Sequence, residues 1–467
     1  MNVSGSTILI TGGTGSFGNR VAAHLLKQSP AEIRIFSRDE KKQWEMQQAF
    51  PQFQYLVGDV REEARLEEAM AGVDLVFHAA ALKHVPSCEK FPYEAYKTNV
   101  GGSHNACRTA RAAGVKTFVA LSTDKAVKPL NAMGTSKAMM EKLVCSQNQN
   151  GGDTKFCCVR YGNVMGSRGS VIPLFKRQIE NDEPLTLTVP EMTRFLMTLD
   201  QSVGLVLHAM QHALGGEIFV RKSPACTIAN LAEAVRRKFS PQGADHPVNV
   251  TGIRPGEKLH ETLVNEYEMQ RVTEEELFYA IHPEYRVPDH RTAKPLGTEY
   301  TSANTRQLDS TADIESLLDK MGAAEKFNKG FANVEFTSSA VVDMAFHSLD
   351  PEKAANIDPM AFQADVLSEL QMPAAIVMRH ATPHFGHVFS GDGYSAGYYS
   401  YMWSGVLDAD AFQAFKEAGD PFDTAIARKL QRYIYSSGGS MDPEDAYIAF
   451  RGKLPSPDAL LEKEGLV

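Results

Sequence analysis

The chain has 467 residues, 43 % of them hydrophobic and 22 % charged, with a formal net charge of −9, a composition that buries a full core and predicts two or more domains. The acidic balance excludes a general nucleic-acid backbone binder, whose affinity rests on clustered Lys and Arg, while local sites for small anions stay open. No apolar run reaches the ~18 residues of a membrane span, and the chain enters its first strand without a basic, apolar and small-residue leader, so the expected location is the cytoplasm.

Short apolar runs, STILI (6–10), EIRIF (32–36), FQYLV (53–57), DLVFH (74–78), KTFVAL (116–121) and KFCCVR (155–160), predict buried parallel strands. Helical stretches such as 19–28 and 101–113 fall between them. This alternation predicts an α/β fold, a Rossmann-type doubly wound parallel sheet. After the first strand TGGTGSFG places Gly12, Gly15 and Gly18 where a tight turn, a close phosphate approach and close helix packing each exclude a side chain. A dinucleotide pyrophosphate would rest on the N-terminus of the helix that follows; a tight loop with no ligand is the alternative. At the end of the second strand, SRDEKK offers Arg38 and, a turn later, Lys42 to the 2′-phosphate of NADP, where NAD-preferring folds place an acid. A solvated charge run is the alternative there. Asp59 in VGDVR stands where such folds cap the adenine amine, and Asn99 in KTNVGGSHN is expected at a helix start near the cofactor.

The stretch STDKAVKPLNAMGTSK (122–137) carries the chemistry. Hydride leaves a sugar carbon only if the attached hydroxyl loses its proton, which calls for a polar trio beside a nicotinamide. Thr123 and Lys137 supply two members. Met133, four residues before Lys137, occupies the place where nucleotide-sugar enzymes of the short-chain dehydrogenase type carry Tyr, and a thioether accepts no proton. Asp124 and Lys125 follow the fifth strand directly, at the carboxyl edge where open α/β sheets bind ligands. An acid beside an amine can protonate a leaving hydroxyl while the other group removes a carbon-bound proton; a surface ion pair is the alternative.

In this order, TGGTGSFG, FSRDEKKQ, GDVR, HAAALKHVP, KTNVGGSHN, STDKAVKPLNAMGTSKAMMEK, RYGNVMGSRGSVIPLF, MTRFLMT, IRPGEKLHE and EYTSANT resemble the UDP-N-acetylglucosamine 4,6-dehydratases, from about residue 4 to 320. These are extended short-chain dehydrogenases, some of them labelled UDP-glucose 4-epimerases, and one subgroup carries Met in place of Tyr. The resemblance implies a core at about 1–165 and a smaller substrate-binding portion mostly at 166–320, together a domain at 1–322. It implies NADP, with NAD possible, held around Gly12, Gly15, Ser16, Phe17, Gly18, Ser37, Arg38, Asp39, Lys42, Asp59, Val60, Ala79, Ala80, Ala81, Lys83, Asn99, Lys137, Tyr161 and Asn163. A UDP-sugar would contact Lys83, His84, Asn163, Arg194, Arg254 and Glu257, with the run opening at Arg168 and Gly169 covering it. Lys125 would take the C5 proton and Asp124 would protonate the departing 6-hydroxyl. Asp124 or a water would replace the missing Tyr, and homo-oligomers are implied.

Beyond residue 326 the pattern changes. The segment 326–467 holds 11 Lys and Arg against 19 Asp and Glu, a net of −8 that leaves −1 for the first 325 residues. The seam is expected where a helical run at 313–321 stops at Gly322. HFGHVFSGDGYSAGYYSYMW and its neighbours resemble the C-terminal piece of zinc-dependent oligopeptidases of the thimet type, predicting a mainly helical extension. There the resemblance gives His387, Tyr394 and Tyr401 a part in steadying a tetrahedral intermediate. The HExxH helix of those enzymes is missing, so the pair His384 and His387 is not read as a metal site. Tyr394, Tyr398, Tyr399, Tyr401 and Trp403 are expected to pack as core. The six cysteines form no CxxC pair and read as reduced, mostly buried thiols. Three other readings stay open: a 4-epimerase, a non-catalytic NADP-binding scaffold with an assembly tail, and a peptidase.

Overall fold

A computed structural model describes residues 3–166, 170–253, 256–289, 291–292, 294–295, 297–326, 329–373, 376–420 and 423–466. The apolar runs form β1 (Thr7–Thr11), β2 (Glu32–Ser37), β3 (Gln54–Val57), β4 (Leu75–His78), β5 (Thr117–Thr123) and β6 (Lys155–Tyr161). Between them lie α1 (Ser16–Leu26), α2 (Glu40–Ala49), α3 (Glu63–Met70), α4 (Val85–Lys90), α5 (Pro92–Ala95), α6 (Gly102–Ala112) and α7 (Ala132–Ser146). The sheet runs β3, β2, β1, β4, β5, β6 in parallel, then Ile218–Arg221, and closes with the antiparallel strands Phe278–Ile281 and Val272–Glu274. Strand order reverses between β1 and β4, which opens the crevice used for ligands in such sheets.

Alternation along each strand feeds two cores. On β1, Leu9 packs into the layer of Phe36, Leu66, Val76 and Phe118. Its neighbours Ile8 and Ile10 enter the opposite layer with Val21, Ile35, Phe77 and Val119. A third core is formed by Ile172, Phe175, Leu185, Leu231, Val235 and Leu318. In the β5–β6 register Thr123 lies opposite Tyr161, so both side chains reach the carboxyl edge of the sheet.

The structure departs from expectation at two helices. The helix expected to stop at Gly322 spans Thr311–Lys326, because one Gly costs only about 1 kcal/mol relative to Ala in a helix interior. The stretch 101–113 is α6 preceded by a π-helical turn, Tyr96–Gly101, and Asn99 sits inside that turn rather than at a helix start. The α/β class with a helical extension is found. The chain divides into two compact units, Met1–Met321 and Gly322–Val467.

The second unit is built from helices such as Lys329–His347, Pro359–Glu369, Tyr399–Ala418 and Pro443–Arg451. Its buried carboxylates are satisfied internally: Asp343 accepts the N–H groups of Ala396 and Tyr398, and Asp410 accepts the hydroxyl of Tyr447 and Nε of Arg451. Of the five aromatic residues expected in the core only Tyr398 is buried; Tyr394, Tyr399, Tyr401 and Trp403 are 49–60 % exposed. Tyr399, Tyr401 and Trp403 share the helix Tyr399–Ala418, whose period turns successive residues onto different faces, and Tyr394 ends a separate short turn, Asp392–Tyr394. Tyr401 Oη lies 3.1 Å from His387 Nε2, and the His387 ring stacks on Tyr394. His384 and His387 are exposed. All six cysteines are free thiols, five of them buried. Among the described residues no helix is long and apolar enough to cross a membrane.

Candidate active site

Two clefts open at the carboxyl edge of the sheet. The first, of about 270 Å³, lies over the β1–β4 crevice and is lined by Gly12, Ser37, Arg38, Asp39, Lys42, Asp59, Val60, Ala80 and Ala81 from the expected set, joined by Thr14, Phe36, Gly58 and Thr98. Its glycine turn is shaped by close approach. Gly12 has φ +66, and a Cβ there would stand 2.8 Å from the backbone nitrogen of Ala80; a Cβ on Gly18 would stand 2.4 Å from the carbonyl oxygen of Gly13. At Gly15, by contrast, the only neighbour of a Cβ would be the Gly12 carbonyl, 3.3 Å away. The N-cap of α1 makes no side-chain bond and its first turn carries no acid. Unsatisfied N–H groups at such a helix start are an anion site, so these residues fit a dinucleotide pyrophosphate. Phe17 stacks on Tyr161 at 6.0 Å, tying the start of α1 to the end of β6.

On the α2 side of this cleft Asp39 caps α2 by accepting the backbone N–H of Lys42 and pairs with the Lys42 ammonium. The Lys42 bonds hold its carboxyl below the usual range. The acid is thereby engaged locally, and the Arg38 guanidinium is 52 % exposed, 3.4 Å from Asp59. Burial works against the Asp59 charge, but its bonds from Arg61 and the nearby Arg38 outweigh that and keep the carboxyl below its ordinary pKa.

Asn99 is fully occupied within the protein. Its Oδ1 accepts the N–H of Leu82, and its Nδ2 donates to the Leu82 carbonyl and to Ser136 Oγ. It fixes the loop after β4 onto α7.

The second cleft, of about 560 Å³, is lined by Lys125, Asn163, Arg194 and Glu257 from the expected set, with Glu89, Asn131, Ser170, Thr186, Thr188, Met192 and Glu261 among the residues not foreseen. Four buried oxygen atoms on its walls, Asn163 Oδ1, Ser170 Oγ, Glu257 Oε2 and Glu261 Oε2, have no hydrogen-bond partner among the described residues. Buried polar groups left this way are costly unless a ligand or water completes them. Arg194 donates through Nη1 to the carbonyls of Thr193 and Leu259, so part of its guanidinium already holds the cleft wall. Lys83 and His84 are exposed in the loop before α4 and line neither cleft; His84 Nδ1 meets Ser87 Oγ at 2.7 Å. Arg254, Arg168 and Gly169 lie outside the described residues.

At the wall of the second cleft sits the charged cluster. Asp124 is 1 % exposed, which removes the surface-pair alternative. Its Oδ1 accepts from Thr123 Oγ1 at 2.8 Å and from Lys125 Nζ at 3.1 Å, while Oδ2 is buried without a partner among the described residues. Lys125 Nζ lies 3.3 Å from a second carboxylate, Glu261 Oε1. Burial opposes the Lys125 charge, yet the flanking carboxylates win and raise its pKa. Asp124 itself does not line the second cleft; Lys125 and Glu261 do.

Local folding places these groups. Asn131 Oδ1 caps α7 by accepting the Gly134 N–H, and its Nδ2 donates to the Gly256 carbonyl at 3.0 Å. Lys258 donates to the Val127 carbonyl. These bonds lay the segment bearing Glu261 across the turn bearing Lys125. Gly134 permits the contact from the other side, since a Cβ there would stand 2.2 Å from the Lys125 carbonyl oxygen. Sequence reading missed both Glu261 and Gly134; the glycine next to Met133 at the start of a helix was the available signal.

Lys137 is buried and donates to the Leu121 carbonyl at 2.8 Å; desolvation pulls its pKa down to about 8. Met133 packs with Cys88 and Ala95 in a small apolar cluster, so the place of the missing Tyr is filled by a side chain with no proton to exchange.

The family model for polysaccharide biosynthesis proteins matches residues 8–283, and that for peptidase family M3 matches residues 292–466. The chain is 48 % identical over 328 residues to a UDP-glucose 4-epimerase of Rickettsia felis, covering 67 % of this chain and 95 % of that protein. A UDP-glucose 4-epimerase of Rickettsia akari is likewise 48 % identical, over 332 residues, with the same coverage. Among solved structures, the X-ray structure of Pen from Bacillus thuringiensis superposes with a TM-score of 0.64 at 35 % identity, covering 68 % of this chain and 99 % of that one. With the peptidase M3 match confined to its C-terminal region, the chain belongs to the polysaccharide biosynthesis protein family, the extended short-chain dehydrogenases of nucleotide-sugar dehydratase and epimerase type.

Proposed function

We propose that the chain is an NADP-dependent UDP-N-acetylglucosamine 4,6-dehydratase, and the observation that carries this reading is the buried Asp124–Lys125 pair with Glu261 behind it. Elimination of water across C5 and C6 of a 4-keto sugar needs one group to take the C5 proton and another to protonate the leaving hydroxyl. Bound NADP would supply the hydride acceptor at C4 and the hydride donor at C6.

The protein's own groups would do the rest. The pyrophosphate of the dinucleotide would rest at Gly15 and the start of α1, and Arg38 with Lys42 would meet the 2′-phosphate through charge-assisted bonds. Lys137 would hold the nicotinamide ribose. Lys125, the cleft-facing amine, would meet the C5 proton, and Asp124 would deliver a proton toward the 6-hydroxyl through it. Asn163, Arg194 and Glu257 would hold the UDP-sugar in the second cleft. A homo-oligomer in the cytoplasm is part of the same reading.

A 4-epimerase is the second reading, supported by the names of the Rickettsia relatives. Epimerisation returns hydride to C4 and leaves the 6-hydroxyl in place, so it makes no use of an acid and an amine together. Incubation of the protein with UDP-N-acetylglucosamine and mass spectrometry of the product separates the two. Loss of one water is expected; a product of unchanged mass sinks the dehydratase reading. Cofactor choice is tested by titration with NADP and NAD: Arg38→Ala is expected to weaken NADP alone, and equal weakening of both would count against the 2′-phosphate contact.

A further inference from the structure

Resting on the dehydratase reading, we infer that Glu261 is a positioning residue that acts through Lys125 as the second proton-holding group of the site. The argument begins with a proton count. With the cluster taking the part of the missing Tyr, the 4-hydroxyl proton enters it when hydride leaves C4, and the C5 proton enters it before the 6-hydroxyl departs. Two protons are therefore held at once. An ammonium at Lys125 accepts neither until it has passed its own proton on, and one carboxylate stores only one.

Glu261 meets the need by its geometry. It is 2 % exposed, its Oε1 is 3.3 Å from Lys125 Nζ, and its Oε2 is buried with no partner among the described residues. Its main chain is fixed, the N–H donating to Ser302 Oγ and the carbonyl accepting the Ser302 N–H. The charged and titratable groups around it are Asp124 and Lys125 on the turn after β5, Arg194 at 3.9 Å on the strand Thr193–Met197, and Lys258 and His260 on its own segment. Burial first, and the Asp124 charge second, raise the Glu261 pKa, which makes the carboxylate a readier proton acceptor than a solvated one.

The steps balance. Lys125 gives its proton to Asp124 and takes the 4-hydroxyl proton as C4 becomes a ketone. It then gives that proton to Glu261 and takes the C5 proton, leaving an enolate. Asp124 returns its proton, through Lys125, to the 6-hydroxyl as the C6–O bond breaks and water leaves. Hydride returns to C6, Lys125 protonates C5, and Glu261 restores the ammonium. Both borrowed protons are returned, one in water and one on C5. Epimerisation borrows only one, so Glu261 is required for water loss alone.

The test uses the full chain and two readouts. Reductive methylation of Lys125, followed by peptide mass spectrometry with exposed Lys142 as internal reference, reports how firmly the amine is held as an ammonium. In Glu261→Gln, labelling near pH 8 is expected to be faster by about tenfold, one pKa unit, and water loss from UDP-N-acetylglucosamine slower by at least ~100-fold. Glu261→Asp keeps a carboxylate, and its labelling and water loss are expected to return toward those of the unaltered protein. Should Glu261→Gln fail to fold, the shifted pH profile of Glu261→Asp takes its place. Unchanged labelling, or equal water loss with and without Glu261, overturns the inference alone. Absence of water loss in the unaltered protein overturns the dehydratase reading and the inference with it.

Discussion

Two buried clusters in the first unit have the same ingredients, one cation between two carboxylates, and opposite degrees of satisfaction. Arg160 donates to Glu141 at 3.0 and 2.6 Å, to Glu268 at 2.9 and 2.9 Å and to the Leu263 carbonyl at 2.8 Å. Its side chain is 2 % exposed. Lys125 makes contacts of 3.1 and 3.3 Å to Asp124 and Glu261, keeps 29 % exposure toward a cleft, and leaves one oxygen of each carboxylate without a partner among the described residues. A planar guanidinium with every donor used fixes three chain segments in one geometry; an ammonium held loosely between two acids can move a proton. Composition does not distinguish a structural ion cluster from a reactive one. Completeness does.

The largest way to break the structural side is Arg160→Met, which leaves Glu141 and Glu268 buried without their cation. A loss of about 3–5 kcal/mol in denaturant unfolding is expected, and a loss under 1 kcal/mol would mean that water reaches the site. On the reactive side, Asp124→Asn is expected to lower turnover of UDP-N-acetylglucosamine by at least ~100-fold while stability changes by far less than in Arg160→Met. Full turnover in this variant would remove Asp124 from the mechanism. If both variants lost stability equally, the distinction between the clusters would be wrong.

Much of this contrast is illegible in a sequence. The six parallel strands were readable because each is a continuous apolar run, and the glycine turn because TGGTGSFG sits between a strand and a helix. Asp124 and Lys125 were readable because they are adjacent at a strand end. Glu261 was not, since it reaches Lys125 only through tertiary bonds from Asn131 and Lys258. The position of Asn99 has the same origin: the sequence suggests a helix start, and the π-helical turn Tyr96–Gly101 that holds it is tied down by bonds to Leu82 across the chain. In the tail, an aromatic-rich stretch looked like core because hydrophobicity was read without the helical faces it occupies.

A smaller and sharper probe is Gly134→Ala. The added methyl would press on the Lys125 carbonyl, and a cost of about 1–3 kcal/mol is expected for overpacking. Because α7 must then shift away from the turn, turnover is expected to fall with stability, coupling the two sides of the comparison. A drop in stability with unchanged turnover would show that the turn, and with it the Lys125 position, is held independently of α7.

The smallest effect at neutral pH belongs to a third buried cluster, which carries no net charge. His78 is fully buried between Thr11 Oγ1 and Ser103 Oγ, each at 2.9 Å. Ser103 donates its own hydroxyl to the Asn99 carbonyl, so it must accept from His78 Nε2–H, and Nδ1 must accept from Thr11. The bond accepted at Nδ1 needs a neutral ring, and desolvation first, the Lys137 charge second, push its pKa down to about 3. An unfolded histidine takes up a proton near pH 6.5, which the folded ring refuses. Its contribution is therefore intact above about pH 6.5 and is lost as pH falls toward 3, with a slope of up to about 1.4 kcal/mol per pH unit. In His78→Gln that slope is expected to disappear from the acid limb of the stability curve, whatever the variant costs at pH 7. If the slope persists, the acid sensitivity comes from paired carboxylates such as Glu268, whose bonds to Arg160 outweigh burial and hold its pKa low, and the neutral cluster contributes no pH dependence.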